Sequence, residues 1–430
     1  MTSVVHRILA RYPAAPGFRD VVVLWGILFS ILLFSNAIAA KWFLGVGGPQ
    51  YGLESTNIAR SLLEHGTFSD PYPPARTGPT AHVGPLYPLL YAAMIRIFGT
   101  GEVFGWAIRL LTLAALALHW ALLPLAASRL GIPASVGLLA ALLGSIVAVP
   151  NTLYNQDAAF TCVLLTALIC LTAPGRDSIL GSAHAITAGL LWGAVCLMNP
   201  ILLPVWAAWA IILFVRLGPN RRRNIAFLAL GVLVMAPWMI RNRLVFGHFV
   251  LIRGNLGTEL AASNSDCSSA WATEMQRTGC YARVHPAESP EMASRVAALG
   301  EYRFNLERQK TALAWIREHP ARFLTLSAQR FRLFWMPLNR TWNKAALYDE
   351  LLICLFTLFS IPGAVLLWRE YRFAAHLLLS AMLLFSLPYL IFMNVLRYRF
   401  PVLWISVLLT ALFLHRLLRP PAPAGVSPEL

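Results

Sequence analysis

The chain has 430 residues, of which 58% are hydrophobic and only 13% charged, and its mean hydropathy is +0.62. Globular domains carry about 25% charged residues, so a chain this apolar cannot cover its surface in water and is predicted to lie in a membrane. Its apolar runs are continuous and near 20 residues long, which predicts helices and excludes a barrel of alternating strands. The net charge of +16 comes from basic residues in short loops, so no nucleic-acid partner is predicted.

The apolar runs predict an all-α polytopic protein with about ten transmembrane helices. Pro150 is expected to close the third span, and Pro200 is expected to separate the fifth from the sixth. In chain order the ten predicted spans are 21–40, 103–127, 134–149, 158–171, 184–197, 201–215, 225–240, 347–367, 373–392 and 400–414.

Arginines fix the orientation, because cytoplasmic loops are rich in Lys and Arg. With ten spans, the arginines that precede or follow the spans and are named at the end of this paragraph all fall on one side of the membrane, and both termini are predicted to be cytoplasmic. The first run is too long for a cleavable signal peptide. The predicted division is 1–240 with seven spans and a catalytic first outer loop (41–102), a partly helical extracytoplasmic loop (241–346), three spans (347–416) and a disordered cytoplasmic tail (417–430). The arginines on the cytoplasmic side are Arg7, Arg11, Arg19, Arg129, Arg176, Arg216, Arg221, Arg222, Arg223, Arg369, Arg372, Arg416 and Arg419.

The six cysteines fall into two groups. Cys162, Cys170, Cys196 and Cys354 lie in predicted spans and are interpreted as small core residues. The other two, Cys267 and Cys280, lie in the outer loop, where an oxidising compartment would allow a disulfide between them. They have no His or Cys neighbours at metal-ligand spacing, so they do not predict a zinc site.

The first outer loop carries the first candidate catalytic residue. The run 51–66 predicts a short amphipathic helix at the membrane interface, with Glu54 at its start and Gly66 at its end. A carboxylate is favoured at a helix start, so a solvated surface acid is the plainer interpretation of Glu54. In the proline-rich run that follows, His82 and Tyr87 are candidates for substrate binding, and an aromatic belt with a surface histidine explains them equally well.

Further candidates lie at the outer ends of other spans. Asp157 begins the fourth span, where a carboxylate is either functional or merely solvated. Several arginines break the charge rule by lying outside, and a guanidinium suits a phosphate group, which suggests the headgroup of an anionic lipid. Interfacial anchoring is the alternative for each one. These outer arginines are Arg241, Arg243, Arg253, Arg397 and Arg399.

These features, in this order, resemble the GT-C superfamily of membrane glycosyltransferases. The resemblance is to family-39-like bacterial members, related to protein O-mannosyltransferases and lipid A aminoarabinose transferases, and it covers about 21–414. It is carried by Glu54 with the helix that Gly66 ends, the run 85–90, Asp157, the stretch 237–247, the run 315–320 and the run 397–401. Many relatives have Asp in the first loop, where this chain has Glu54.

The resemblance implies an inverting transfer of a sugar from a polyprenyl-phosphate donor to an acceptor hydroxyl or amine at the outer face of the membrane. Glu54 would be the base and Asp157 a second acid. The arginines would stabilise the leaving phosphate as charge develops. The residues predicted to bind substrate are His82, Tyr87, Arg241, Arg253, Arg397, Tyr398 and Arg399. Metal use varies in the superfamily, and the clustered carboxylates are too few to predict a metal site, although a divalent metal stays possible. The resemblance also implies the bacterial cytoplasmic membrane, with membrane lipids as partners.

Two other classes of function stay open. A lipid-linked saccharide transporter or flippase would place polar groups at the bilayer midplane, often in two repeated halves. In this sequence the polar groups crowd the outer surface and no internal repeat is visible, which favours chemistry at the interface. A non-catalytic assembly partner with the same fold is the second alternative, because Glu54 departs from the commoner aspartate. The sequence names neither the sugar nor the acceptor.

Overall fold

A computed structural model describes residues 12–39, 53–151, 156–172, 182–217, 221–338 and 344–418. Within these ranges the secondary structure is helical, and extended pairing is limited to the isolated bridges Ser69–Pro79 and Trp271–Asn394. The prediction of an all-α architecture is therefore confirmed. The predicted disordered tail lies almost entirely outside the described residues.

The helices of the described chain fall into an apolar set and a second set, which we call the outer set because the sequence predicts its segments to lie outside the membrane. The apolar set consists of α1 (Phe18–Ala39), α3 (Leu86–Phe98), α4 (Glu102–Arg129), α5 (Ala134–Asn151), α6 (Gln156–Thr172), α7 (Ser182–Met198), α8 (Leu203–Leu217), α9 (Arg221–Phe246), α16 (Lys344–Glu370), α17 (Arg372–Ser386) and α18 (Phe400–Leu418). The outer set consists of α2 (Leu53–His65), α10 (Leu256–Ser263), α11 (Ala272–Arg277), α12 (Tyr281–Val284), α13 (Pro290–Leu299), α14 (Glu301–Glu318) and α15 (Pro320–Trp335).

Six helices of the described chain are long and apolar enough to cross a membrane, which makes this a multi-pass membrane protein. The third to sixth predicted spans coincide with shorter apolar helices, so the total of ten stays a prediction. A three-residue turn at Pro200 separates α7 from α8, as predicted. Pro150, in contrast, does not close the third span, because α5 continues through it to Asn151. The six long segments are Phe18–Ala37, Glu102–Arg129, Ile225–Phe246, Leu347–Glu370, Arg372–Leu390 and Leu396–Leu418.

The membrane helices pack around two interior elements, α4 and α18. Helix α4 contacts α1, α5 and α6, while α18 contacts α16, α5 and α6. Every residue of α18 from Pro401 to Leu412 is buried. This burial on all sides agrees with a helix that is apolar all round. Across the bundle, the indole N–H of Trp209 donates to the carbonyl of Leu377 at 3.0 Å, which joins α8 to α17.

A close contact between α10 and α14 holds together the outer segment between α9 and α16. A Cβ atom on Gly257 would lie 1.8 Å from the carbonyl oxygen of Asn305, so only glycine allows this approach. The backbone N–H and the hydroxyl of Thr258 both donate to the Asn305 side chain at 2.9 Å. The segment is also fixed to the membrane helices by Arg330, which is fully buried and donates to the carbonyl of Ile391 at 3.0 Å.

A disulfide joins Cys267 and Cys280, which confirms that these two outer cysteines pair. The bridge closes a short loop that contains α11, and it fixes the segment before α11 to the start of α12. We expect the double variant Cys267→Ser/Cys280→Ser to lose about 3 kcal/mol of stability, because the unfolded loop regains conformational freedom. Thermal melting in detergent measures the loss, and the parent protein treated with reductant serves as the control. Mass spectrometry that finds both thiols free in the untreated parent would contradict the expectation.

Candidate functional site

Glu54 begins α2, and the structure confirms the amphipathic helix that the sequence predicts there. The helix runs to His65, and Gly66 follows with a φ of +68°, a conformation that glycine adopts without strain. Ile58 and Ala59 are buried on its apolar face, which packs against α3. Glu54 is half-buried in the first turn of the helix.

Arg241, at the outer end of α9, binds the first outer loop through backbone carbonyls. Its guanidinium donates to the carbonyl of Phe68 at 2.9 Å and to the carbonyl of Thr80 at 2.8 Å. It also lies 4.8 Å from the Trp238 ring centroid, at cation–π distance. These contacts give Arg241 a role in holding the loop, and its predicted contact with a phosphate stays a prediction.

Arg253 binds the same loop at His82, two residues after Thr80. Its Nε donates to the carbonyl of His82 at 2.8 Å, while the backbone N–H of Gly254 donates to the carbonyl of Ala81 at 2.9 Å. The carbonyl of Thr80 is therefore bonded to α9, and the carbonyls of the next two loop residues are bonded to the segment between α9 and α10. The outer arginines position the backbone that carries His82.

Glu301, the first residue of α14, binds this loop from the other side. Its buried carboxylate accepts hydrogen bonds from the hydroxyl of Thr80 and from the backbone N–H of Ala81, the latter at 2.7 Å. Burial raises the pKa of Glu301 to about 7, although the two hydrogen bonds and the charges of Arg241 and Arg253 oppose the rise. The first outer loop is thus tied to α14 by a carboxyl group that titrates near neutral pH.

Next to this loop lies a polar cluster formed by Tyr72, His82, Glu259 and His285. The Tyr72 hydroxyl and His82 Nδ1 are 2.8 Å apart, and Nε2 of His285 lies 3.7 Å from Oε1 of Glu259. Asn255 orients the Glu259 carboxylate by donating to Oε1 at 3.0 Å. The candidate ligand atoms of His82, Glu259 and His285 all lie within 4.8 Å of one another, a spacing that could hold a metal ion.

The charges of this cluster act on one another. Burial lowers the pKa of His82 to about 4, although the carboxylates of Glu259 and Glu54 oppose the fall. Burial alone raises the pKa of Glu259, but the approach of His285 and the charges of His82 and Arg253 lower it to about 2. The charge of Glu54 acts on His82, so the predicted base lies within electrostatic range of the predicted substrate-binding histidine.

Tyr281 connects this cluster to the run 396–399. Burial raises the pKa of Tyr281, the charges of Glu259 and Glu54 add to the rise, and the charge of Arg397 opposes it. Its ring stacks on His285 with centroids 4.6 Å apart. Arg397 and Glu54 therefore both act electrostatically on Tyr281, although the two residues lie far apart in sequence.

The three predicted residues of the run 396–399 differ in environment. Arg397 is exposed and lies 5.7 Å from the ring centroid of Tyr398, which stacks on Tyr389. Arg399 is buried, donates to the hydroxyl of Ser406 at 2.7 Å and lies 4.1 Å from the ring centroid of Trp335. Of the two arginines, Arg397 is the one whose guanidinium is accessible to a ligand.

Two other predicted residues lie away from this cluster or beyond the described side chains. Tyr87 is buried in α3, where its hydroxyl lies 2.8 Å from that of Tyr91 and its ring packs in the apolar contact with α2. This environment explains Tyr87 as a core residue, and its role in substrate binding stays a prediction. Asp157 belongs to α6, and its side chain lies outside the described residues.

Sequence reasoning missed Tyr72, Glu259, His285 and Glu301. They lie in irregular stretches or at helix ends of the two outer segments, where no periodicity or motif singles them out. Ionisable residues are few in this apolar chain, so each Glu and His could have been noted as a candidate site residue. The sequence did not show which of these residues lie close together in the fold.

Comparisons with known proteins identify other structures that share the fold of this chain. A scan against protein-family models has no match, and a search of curated proteins has none either. Among solved structures, the chain is similar to the Archaeoglobus fulgidus oligosaccharyltransferase tethered with an acceptor peptide, at 14% identity and a TM-score of 0.51. The match covers 90% of this chain and 49% of that one.

Two further structures are similar to the chain. The oligosaccharyltransferase AglB from Archaeoglobus fulgidus, in complex with an inhibitory peptide and a dolichol-phosphate, matches at 15% identity and a TM-score of 0.50, over 90% of this chain and 50% of that one. ArnT from Cupriavidus metallidurans, bound to undecaprenyl phosphate, matches at 15% identity and a TM-score of 0.39, over 91% and 78%. The chain spans about half the length of the oligosaccharyltransferase.

The similarity to the oligosaccharyltransferase defines the class of fold. Over 90% of its length the chain has the fold of this oligosaccharyltransferase. Identity this low carries the arrangement of helices and not the substrates, so the activity of this chain has to be argued from its own site.

Proposed function

We propose that this protein is an inverting glycosyltransferase that moves a sugar from a polyprenyl-phosphate donor to an acceptor hydroxyl or amine. The observation that carries the proposal is the position of Glu54 on a GT-C fold. This half-buried carboxylate begins an interfacial helix, and its charge acts on a buried cluster of polar residues.

The reaction needs a base, because an acceptor hydroxyl is a poor nucleophile until its proton is being removed. In the proposed mechanism Glu54 takes that proton as the acceptor oxygen forms its bond to the anomeric carbon. The bond between this carbon and the donor phosphate breaks, polyprenyl phosphate leaves, and the configuration inverts. Asp157, at the start of α6, is proposed as the second acid.

Negative charge develops on the leaving phosphate, and a positioned cation stabilises it in the transition state. Arg397 is proposed to supply this charge because its guanidinium is exposed and acts electrostatically on the same site. Arg399, Arg241 and Arg253 support the site from behind, since their described contacts are with the protein itself.

The arginine distribution supports an orientation with the site at the outer face of a bacterial cytoplasmic membrane and both termini in the cytoplasm. A single cysteine introduced near Asn264 should react with an impermeant reagent in intact cells. One near Asn220 should react after permeabilisation alone, and the reverse pattern would exclude this orientation.

The activity itself is tested with purified protein in lipid nanodiscs, supplied with radiolabelled polyprenyl-phosphate sugars and candidate acceptors. We expect label to pass to an acceptor with release of polyprenyl phosphate and inverted configuration at the anomeric carbon. Movement of the intact donor across a vesicle membrane, without cleavage, would support a flippase in place of a transferase.

We expect Arg397→Ala to bind polyprenyl phosphate about tenfold to a hundredfold more weakly, because a hydrogen bond to a charged group contributes about 1.5–3 kcal/mol. Microscale thermophoresis with undecaprenyl phosphate in detergent measures the change. Arg303→Ala is the control, since Arg303 is an exposed arginine of α14. Equal affinity of Arg397→Ala and the parent would remove Arg397 from the donor site.

A further inference from the structure

We propose that His82, Glu259 and His285 bind one Zn²⁺ ion at the junction of the two outer segments. His82 comes from the first outer loop, Glu259 from α10, and His285 follows α12. Three separate parts of the chain thus supply two imidazoles and one carboxylate. The site does not depend on the glycosyl-transfer proposal, because metal binding is measurable without any substrate.

The ligand set suits zinc. Two histidines and one carboxylate are a set that tetrahedral Zn²⁺ accepts, with a fourth position left to water or another ligand. Bonds of about 2.0–2.2 Å place neighbouring ligand atoms of a tetrahedral ion about 3.4 Å apart. Nε2 of His285 and Oε1 of Glu259 are 3.7 Å apart, and all three ligand atoms lie within 4.8 Å. Small side-chain rotations are enough to close the site.

A second observation comes from His285 itself. Its side chain is 1% exposed, and its Nε2 has no hydrogen-bond partner in the part of the chain that the structure describes. A buried polar nitrogen without a partner is costly, and it faces the Glu259 carboxylate at a distance too long for a hydrogen bond. An ion between these two groups would satisfy both.

Neighbouring residues orient the ligand side chains through hydrogen bonds, as they commonly do at metal sites. Asn255 donates to Glu259 Oε1 at 3.0 Å, and the Tyr72 hydroxyl lies 2.8 Å from His82 Nδ1. When Nδ1 of His82 donates to Tyr72, its Nε2 keeps a lone pair for the ion. Both contacts restrict the rotation of a ligand side chain before the ion arrives.

A proton is the competing occupant of the site. The backbone N–H of Ala287 donates to His285 Nδ1 at 3.1 Å, and in this state the proton of a neutral ring sits on Nε2, facing Glu259. A zinc-bound His285 carries its proton on Nδ1, so the contact with Ala287 has to open. The charge of Arg253 also opposes a cation, whereas Glu259 and Glu54 attract one. A zinc ion and a proton on Nε2 of His285 therefore exclude each other.

The test measures metal content in the full-length protein. After dialysis against Zn²⁺ and removal of free metal, mass spectrometry of the metals should find one zinc per chain in the parent. Glu259→Gln and His285→Gln should each bind Zn²⁺ at least tenfold more weakly. The matched control is His248→Gln, because His248 is an exposed histidine that stacks on Tyr302. This variant should keep the parent's zinc.

Two measurements on the parent keep the test independent of how well a variant folds. X-ray absorption at the zinc edge should show two imidazole ligands with oxygen, and chelation should lower the melting temperature. A parent that takes up no zinc overturns the proposal, as does zinc uptake that both ligand variants retain. These outcomes leave the glycosyl-transfer proposal untouched, since none of them measures transfer.

Discussion

Glu54→Gln should lower the rate of glycosyl transfer by about a hundredfold to ten-thousandfold while leaving the fold and donor binding intact. A positioned carboxylate contributes about this much through proton transfer. The amide keeps the size of the side chain and removes its basicity, so the loss should fall on kcat rather than on KM. Steady-state transfer in nanodiscs, over a range of donor and acceptor concentrations, measures kcat and KM separately.

The same helix offers a matched control. Glu64 is an exposed glutamate of α2, so Glu64→Gln changes the same chemical group without touching the polar cluster and should transfer at the parent rate. Glu54→Asp should keep partial activity, because it restores a carboxylate but withdraws it by over an ångström, roughly one bond length, at a site sensitive to such misplacement.

The competing base is Asp157. If Glu54→Gln transfers sugar at a near-parental rate while Asp157→Asn abolishes transfer, the two roles are reversed. Full activity of both variants would exclude an acid–base role for either carboxylate and would favour the non-catalytic alternative.

Glu301→Gln should remove the pH dependence that Glu301 gives to the free energy of unfolding. At pH 8 the variant should be more stable than the parent by about 3 kcal/mol. Burial raises the pKa of Glu301 from an ordinary value of 4.5 to about 7, and each pH unit of such a shift corresponds to about 1.4 kcal/mol. The folded protein holds this proton more tightly than the unfolded chain does. Stability therefore falls as the pH rises from about 4.5 to about 7 and is level above that.

The variant is expected to be more stable than the parent at pH 8 and equal to it near pH 4.5. Glutamine keeps an acceptor for the backbone N–H of Ala81, and the Thr80 hydroxyl can turn to accept from the new amide. Melting temperatures of both proteins in detergent, measured from pH 4.5 to pH 8, give the difference. A constant difference over this range would contradict the shifted pKa.

The control for this experiment is Glu307→Gln. Glu307 is an exposed glutamate of α14 that pairs with Arg295 at the surface, and such pairs contribute little to stability. Its variant should follow the parent at every pH. Glu301→Ala should be less stable than either protein at low pH, because it leaves the buried N–H of Ala81 without an acceptor.

Local patterns in the sequence predicted the parts of the site that depend on neighbouring residues. The helix that starts at Glu54 and ends before Gly66 follows from its apolar face and its terminal glycine. The disulfide between Cys267 and Cys280 follows from their shared outer location. The resemblance to the GT-C superfamily rests on an ordered set of such features, none of which is decisive alone.

Other features of the site could not be predicted in this way. The charge rule singled out Arg241, Arg253 and Arg399 as outer cations, and each of them makes hydrogen bonds within the protein. An arginine that breaks the charge rule is predicted to have a partner that compensates its positive charge. The charge rule does not show whether a phosphate or a backbone carbonyl accepts the hydrogen bond.

The sequence by itself determined the membrane environment, the helical class and the first helix of the outer loop. Hydropathy and helix ends are local properties, and neighbouring residues decide them. Only the tertiary structure brought His82, Glu259 and His285 together and placed Glu301 on the backbone beside them. Those contacts join segments far apart in the chain, and packing decides them, because each buried polar group needs a partner that only the folded chain supplies.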